Sequence, residues 1–192
     1  MKSAFGTTCV ALAIVAMATA AHAQSWQGPY VGANLGYQWS AISANPTRPS
    51  GFNGGVGAGY NWQSREFVFG VETDLQFSGA DDTFAPWKFS NPWFGTLRGR
   101  AGFLLNNTTL FYATGGLAYG ELRAQSTVTG ISETRIHPGW TAGIGVEVAI
   151  TGNWSAKVEY LYVNLYDRTY SLTGTSNGMD ASILRMGVNY RF

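Results

Sequence analysis

Charged residues are scarce in this sequence. Asp, Glu, Lys and Arg make up 12% of its 192 residues, whereas a typical soluble domain carries about 25%. The 12 basic and 11 acidic residues leave a formal net charge of +1. A nearly neutral chain with so few charges argues against nucleic-acid binding and against solubility through charge repulsion.

Cysteine is represented by Cys9 alone. Cys9 lies in an N-terminal segment where Lys2 precedes an apolar stretch over residues 10–21 and the small-x-small sequence AHA at 21–23. This arrangement is typical of a secretory signal peptide cleaved after Ala23. The sequence therefore predicts a signal peptide over residues 1–23 and one exported domain over 24–192 that has no disulfide bonds.

Long hydrophobic runs are also missing after the predicted signal peptide. A transmembrane helix needs about 18 or more consecutive apolar residues, and residues 24–192 contain no such run. If this domain spans a membrane, it must do so as a closed β-barrel, because only helices and closed barrels satisfy all backbone groups in lipid.

Glycine and aromatic residues are abundant instead, with 25 Gly, 7 Trp, 10 Tyr and 11 Phe. Apolar residues alternate with Gly or polar residues along most of the chain, which is the pattern of a two-faced β-strand. The strand over 110–119 is the most ambiguous, and there we place Phe111, Ala113, Leu117 and Tyr119 on the apolar face. The alternation predicts eight strands, over residues 31–39, 52–62, 67–77, 93–103, 110–119, 136–148, 154–162 and 182–192.

The predicted connections differ in length in a regular way. Segments 63–66, 105–109 and 149–153 are short and rich in turn-forming residues, whereas 40–51, 78–92, 122–135 and 164–181 are long and polar. Short turns at one end and long loops at the other are typical of an outer-membrane barrel, with the turns in the periplasm. The predicted fold is all-β, an eight-stranded antiparallel up-and-down transmembrane β-barrel, and the even strand number places both termini on the periplasmic side.

A soluble lipocalin-like barrel has the same alternation but turns its apolar face inward. Strands of about 9–11 residues match a tilted bilayer span, and aromatic side chains cluster near the strand ends, as in the two aromatic belts of a membrane barrel. Both features favour the membrane barrel. The predicted belts are Tyr37, Trp39, Phe77, Trp93, Tyr119 and Tyr162 at the loop end, and Trp62, Phe67, Phe103, Trp154, Tyr190 and Phe192 at the turn end.

The polar face carries nine charged residues, which cannot face lipid and are predicted to pair inside the barrel. An eight-stranded barrel has an interior just wide enough for its own side chains, so no wide channel is expected. If the hairpin around the predicted loop over 78–92 pairs symmetrically, Glu72 lies opposite Arg98. Such a pair is better suited to filling the lumen and setting the strand register than to adding stability. The nine are Glu72, Asp74, Arg98, Arg100, Glu147, Lys157, Glu159, Arg185 and Arg191.

Several phrases of the chain resemble a known family. They are WQGPYVGANLGYQW, GGVGAGYNWQ, FVFGVETDLQFSG, GTLRGRAGF, LFYATGGLAYG, GWTAGIGVEVAI, NWSAKVEYLYVNL and LRMGVNYRF. In this order they resemble the small outer-membrane immunogenic proteins of alphaproteobacteria, within the OmpA-like porin-type barrels. The resemblance implies an integral outer-membrane surface antigen of a Gram-negative bacterium, embedded among lipid and lipopolysaccharide. It also implies that Tyr190 and Phe192 form a C-terminal signal for the barrel-assembly machinery.

Some members of that family are described as hemin-binding, and His137 is the one histidine after the predicted signal peptide. It lies near the loop end of the sixth strand, where it is either an axial haem ligand or an ordinary polar residue at a strand end. No cofactor, metal site or enzymatic activity is predicted, since no second His or Cys is present for zinc and His137 would be the sole base for a serine hydrolase.

Three functions remain open on these grounds. The leading one is a structural outer-membrane protein that supports envelope integrity and presents surface loops. The second is a binding protein whose loops, with or without His137, capture hemin or a host molecule. The third is a narrow ion pore lined by Arg98, Arg100, Glu72 and Glu147.

Overall fold

The computed structural model describes residues 25–42, 48, 50–84, 87–126, 132–169 and 176–192. The predicted signal peptide lies outside these residues. Within them the chain forms eight strands: β1 (Gly28–Ile42), β2 (Ser50–Ser64), β3 (Phe67–Phe84), β4 (Trp87–Leu105), β5 (Thr109–Ser126), β6 (Ser132–Thr151), β7 (Trp154–Thr169) and β8 (Ser176–Arg191). No helix in the described ranges is long and apolar enough to cross a membrane.

The strands pair in chain order, and β1 closes the sheet by pairing with β8. All eight pairings are antiparallel, so the predicted up-and-down barrel is confirmed. The chain end takes part in the closure, because the N–H of Phe192 donates to the Pro29 carbonyl oxygen at 3.1 Å. A closed sheet leaves no unpaired edge, which is the condition for a barrel in lipid.

The outer face of the barrel is apolar, which decides against a soluble barrel. Leu35, Phe52 and Leu117 expose 74%, 78% and 64% of their surface, and a soluble barrel would bury such side chains. The predicted belt residues also point outward. At the loop end the belt residue Tyr162 packs against Trp140, which was not predicted to be in the belt, and at the turn end Tyr190 packs against Trp154 and Phe192, with ring centroids 5.1–5.4 Å apart.

The three short turns lie where the sequence predicts them. Arg65, Asn106, Asn107 and Gly152 adopt positive φ values of 51–57°, a region that Gly enters freely and Asn more readily than most residues. We call this end of the barrel the turn side and the opposite end the loop side.

The four predicted loops are too long, because the strands continue into them. Strand β3 runs to Phe84 and β4 starts at Trp87, so the predicted loop over 78–92 is almost entirely paired hairpin. The other strands overrun the predicted loops over 40–51, 122–135 and 164–181 in the same way. A bilayer span needs about 9–11 residues, whereas these strands contain 15 to 20. Beyond the bilayer the backbone pairing persists without requiring alternation, so sequence periodicity misses these strand ends.

Candidate functional site

The inward-facing side chains fill the lumen in three successive layers. An apolar turn-side layer is followed by a charged layer, and an apolar loop-side layer follows on the other side. The charged layer contains all nine charged residues that the sequence analysis assigned to the lumen, each at most 6% exposed. These nine come from five different strands. They lie close together because closure of the barrel brings the inner faces of those strands around one lumen.

Glu72 on β3 is the centre of the charged layer. Its carboxylate forms a salt bridge with Arg98, accepts from Lys157 Nζ at 3.1 Å and accepts from the Tyr30 hydroxyl at 2.6 Å. Glu72 faces Arg98 across the β3–β4 hairpin, as symmetric pairing predicts. Because Lys157 lies on β7 and Tyr30 on β1, this one carboxylate ties together strands from both halves of the barrel.

The other three carboxylates are each held by an arginine. Asp74 Oδ2 lies 2.7 Å from Arg98 Nη2 and 3.1 Å from Arg185 Nη2. Glu147 Oε2 lies 2.7 Å from Arg100 Nη2, and Glu159 Oε2 lies 2.5 Å from Arg185 Nη2. Buried charges in such a network are paired, and removing one member leaves another uncompensated.

Neutral donors add further hydrogen bonds to this network. The Tyr112 hydroxyl donates to Glu159 at 2.9 Å, the Ser155 hydroxyl donates to Glu147 at 2.5 Å and Asn189 Nδ2 donates to Glu147 at 2.9 Å. Ser155 and Asn189 lie on the polar faces that alternation predicts for β7 and β8, whereas Tyr30 and Tyr112 were not predicted as lumen groups. Continuing the alternation of β1 one step back from Gly32 would have placed Tyr30 on the inner face.

Strand β2 contributes space rather than charge. Gly59 and Gly57 lie opposite Glu72 and Asp74 in the β2–β3 pairing. A Cβ atom on Gly59 would come within 2.5 Å of the Tyr30 ring, and one on Gly57 would lie 3.2 Å from the Asp74 Cβ atom. The inward glycines of β2 therefore make room for the Tyr30 ring and the two carboxylates.

Trp26 closes the turn side of the lumen, just before β1 begins. Its side chain is completely buried with Val68, Leu104, Leu110 and Tyr112. Its backbone N–H donates to Gln63 Oε1 at 2.8 Å, and its indole N–H donates to the Asn107 carbonyl oxygen at 3.1 Å. This role was not predicted, because Trp26 lies outside the alternating segment of β1.

Arg191 joins the Trp26 layer to the charged layer. Its guanidinium carbon lies 4.1 Å from the centre of the Trp26 ring, a cation–π distance. Its Nε, Nη1 and Nη2 atoms have no hydrogen-bond partner among the described residues. The contact with the Trp26 ring therefore helps to stabilise the buried Arg191 charge.

An apolar layer fills the loop side of the lumen. It comes mostly from β7 and β8, and Leu165, Met179 and Ala181 were missed because residues 164–181 were predicted to be a loop. Its signal in the sequence is the run YLYVNLY after Glu159, where both faces of β7 are apolar or aromatic, as expected for a strand covered on both sides. The layer consists of Phe94, Ala118, Leu161, Val163, Leu165, Met179, Ala181 and Ile183.

Little free volume remains between these layers. The charged layer encloses a cavity of about 10 Å³, roughly the size of one water probe. The pocket that lies against Phe94 and Leu165 in the loop-side layer has essentially no free volume. In the described residues, the lumen is thus a packed core, as expected for eight strands.

His137 lies at the loop end of β6, as predicted, but it is completely buried rather than open to the outside. Its Nδ1 atom lies 2.8 Å from the Tyr166 carbonyl oxygen. Among the described residues, no group of three His, Cys, Asp or Glu side chains is placed to hold a metal ion. A molecule outside the barrel would not reach His137 in this arrangement.

Comparison with known proteins assigns the chain to a family. A model of the outer membrane protein beta-barrel domain matches residues 7–192. The chain belongs to this outer-membrane β-barrel family. The family and the fold together place it in the bacterial outer membrane.

Curated relatives of this barrel family agree. The chain is 34% identical to the 25 kDa outer-membrane immunogenic protein of Brucella canis over 173 residues, covering 88% of this chain and 80% of the relative. It is 34% identical to a 22 kDa outer membrane protein of Rhizobium leguminosarum bv. viciae over 172 residues, with the same coverage. The predicted resemblance to outer-membrane immunogenic proteins is thereby confirmed.

Solved structures show the same fold at low identity. Neisserial surface protein A superposes with a TM-score of 0.62 at 19% identity, covering 86% of this chain and 97% of that one. The attachment invasion locus protein of Yersinia pestis superposes with a TM-score of 0.53 at 17% identity, covering 86% and 99%.

Proposed function

We propose that this outer-membrane barrel is a closed structural protein that supports envelope integrity and presents its loop side at the cell surface as an antigen. In this proposal it is neither an enzyme nor a diffusion pore. The observation that carries the proposal is the packing of the lumen, because the described side chains fill it in three layers and leave only about 10 Å³ free in the charged layer, too little for the solvent path that transport or catalysis would need.

The proposal places the turns and both termini in the periplasm and the long hairpins outside the cell. Strands that overrun the bilayer length support this orientation, since their paired ends extend beyond the lipid on the loop side. The curated relatives named immunogenic proteins support surface exposure.

Partners follow from the same orientation. The apolar outer wall and its two aromatic belts suit contact with phospholipid on the turn side and lipopolysaccharide on the loop side. Tyr190 and Phe192, which pack at 5.2 Å on the outer face, are proposed as the C-terminal signal for the barrel-assembly machinery. Host molecules are proposed to meet the loop side.

Two alternatives lose support from the geometry. An ion pore through Arg98, Arg100, Glu72 and Glu147 would have to cross both apolar layers, and these four side chains are engaged with one another. Hemin binding at His137 would require the imidazole to leave a completely buried position. Neither alternative is therefore part of the proposal.

The proposal is tested by dye uptake in a deletion strain. The strain is complemented with the intact gene or with a version in which residues 43–49, 127–131 and 170–175 are replaced by two-residue turns. We expect the deletion strain to take up more dye and both genes to restore the barrier. A deletion strain as tight as its parent, or rescue by the intact gene alone, would contradict a role that resides in the barrel.

Purified protein in planar bilayers provides the second arm. We expect no unitary conductance above that of protein-free membranes. Discrete channel openings by the intact protein, lost in Arg100→Met, would overturn the closed-barrel proposal and favour the ion pore.

A further inference from the structure

The outer wall of the barrel contains a groove that has no part in the proposed structural role. The groove has a volume of about 580 Å³, within the range of small-molecule sites. It crosses strands β4 to β8 on the membrane-facing surface. Its lining includes Ala101, Phe103, Phe111, Ala113, Ile144 and Tyr160.

The shape of the groove follows from side-chain size in adjacent rows of the sheet. Ala101 pairs with Ala113, and Ala113 pairs with Ile144, so small side chains lie side by side at the start of one row. The next row toward the turn side begins with Phe103 and Phe111, whose rings stack with centroids 5.6 Å apart. The alanines form the low part of the groove, and the stacked phenylalanines form its wall.

The polar atoms of the groove are already satisfied within the barrel. The Tyr160 hydroxyl donates to Ser182 Oγ at 3.0 Å, and the Tyr112 hydroxyl points into the lumen toward Glu159. Every other side chain of the lining is apolar. Both hydroxyl donors of the described lining are thus engaged, so an occupant is held mainly by close packing.

This chemistry distinguishes a lipid chain from a second barrel. Proteins associate in membranes through close packing and hydrogen bonds rather than through the hydrophobic effect. Two convex barrels touch over a narrow strip, and both hydroxyl donors of the described lining are already engaged, so neither strengthens the contact. A flexible acyl chain needs no polar contact and can follow a diagonal path across tilted strands.

The depth of the groove selects the leaflet. Phe103 belongs to the turn-side aromatic belt and lies two residues before the end of β4 at Leu105. Under the proposed orientation, on which this step rests, the groove opens into the periplasmic leaflet. We propose that the groove is a site for an acyl chain of a phospholipid in the periplasmic leaflet of the outer membrane.

The test uses wild-type protein in vesicles that contain a phosphatidylethanolamine with a photoreactive diazirine on its acyl chain. Cross-linked positions are mapped by mass spectrometry. We expect labelling per exposed residue around Ala101, Ala113 and Ile144 to exceed that around Ala33 and Val56 on the opposite wall by about fivefold. Uniform labelling around the barrel would overturn the proposal.

A matched pair of variants sharpens this test. Ala113→Phe fills the groove, whereas Ala33→Phe adds the same bulk to an outward alanine of β1 that is paired with Val56 and Val188. We expect Ala113→Phe to lose the preferential labelling and Ala33→Phe to keep it. Ala101→Leu serves as a second filling variant if Ala113→Phe does not fold, which its gel mobility before and after heating would show.

Other occupants give different results in the same experiment. Stronger labelling of the groove by a lipid A diazirine probe than by the phospholipid probe would assign it to the opposite leaflet. Cross-links between two protein chains through this wall would assign it to a second copy. Either result would overturn the phospholipid assignment, and neither depends on whether the deletion strain leaks dye.

Discussion

Two neighbouring layers of the lumen, the charged layer and the apolar loop-side layer, are built in different ways. In the charged layer, four carboxylates and several basic side chains from opposite walls hold one another through directed contacts. In the loop-side layer, side chains such as Leu161, Leu165 and Ile183 fill the same diameter by apolar packing. Eight strands can thus be closed by charge pairing or by apolar packing, and the two solutions should fail differently when single side chains are removed.

The largest effect is expected from Glu72→Ala in the charged layer. Removing this carboxylate leaves Arg98 and Lys157 without one of their partners in a buried site, so unfolding should become easier by about 3–5 kcal/mol. Urea unfolding in lipid vesicles, followed by tryptophan fluorescence, measures this change. Glu66→Ala, in an exposed turn, is the matched control and should stay within about 0.5 kcal/mol of wild type.

Trp26→Ala should rank second, with a loss of about 3 kcal/mol. The substitution leaves a large cavity at the turn side and exposes the Arg191 guanidinium to water. The same urea titration measures the loss. The rate of hydrogen–deuterium exchange of backbone amides near Asn189 should also rise. Unchanged exchange there would show that Trp26 does not close the lumen. Trp154→Ala on the outer face is the control, since its ring does not enter the lumen.

In the loop-side layer, Leu161→Ala should cost about 2–3 kcal/mol. Here the loss comes from a cavity rather than from an unpaired charge, so it should not change with salt. Leu117→Ala, on the outward face, should cost less because lipid can fill the space left by the side chain. Equal losses for the two leucines would mean that the loop-side layer is not packed as a core.

The smallest effect is expected from replacing glycines by alanine. The loss of stability should differ between a glycine on the inner face and one on the outer face. Gly59→Ala should cost about 1–2 kcal/mol, because its Cβ atom would press on the Tyr30 ring. Gly99→Ala, on the outer face, should be neutral or slightly stabilising, since its Cβ atom would meet no atom closer than 4.0 Å. Similar losses at both positions would contradict the space-filling role assigned to the inner glycines.

The same comparison explains what could be predicted. In the charged layer the inner face is polar and the outer face apolar, so alternation identifies residues such as Glu72, Arg98 and Glu147 directly. In the loop-side layer both faces of β7 are apolar, the contrast disappears, and Leu165 falls into a predicted loop. Tyr30 was missed for a different reason, since the predicted strand begins one residue too late to include it.

The sequence by itself determined the number of strands, the face that most residues of the predicted strands present and the places of the short turns, because alternation and turn-forming residues are local properties of the chain. Symmetric pairing about the predicted loop over 78–92 also placed Glu72 opposite Arg98, as the β3–β4 register shows. Only the closed barrel decided that Arg185 meets Asp74 at 3.1 Å across 111 positions of sequence, and that Trp26 covers the turn side. Such contacts depend on the registers of all eight strand pairings together, and no single segment of the sequence determines them.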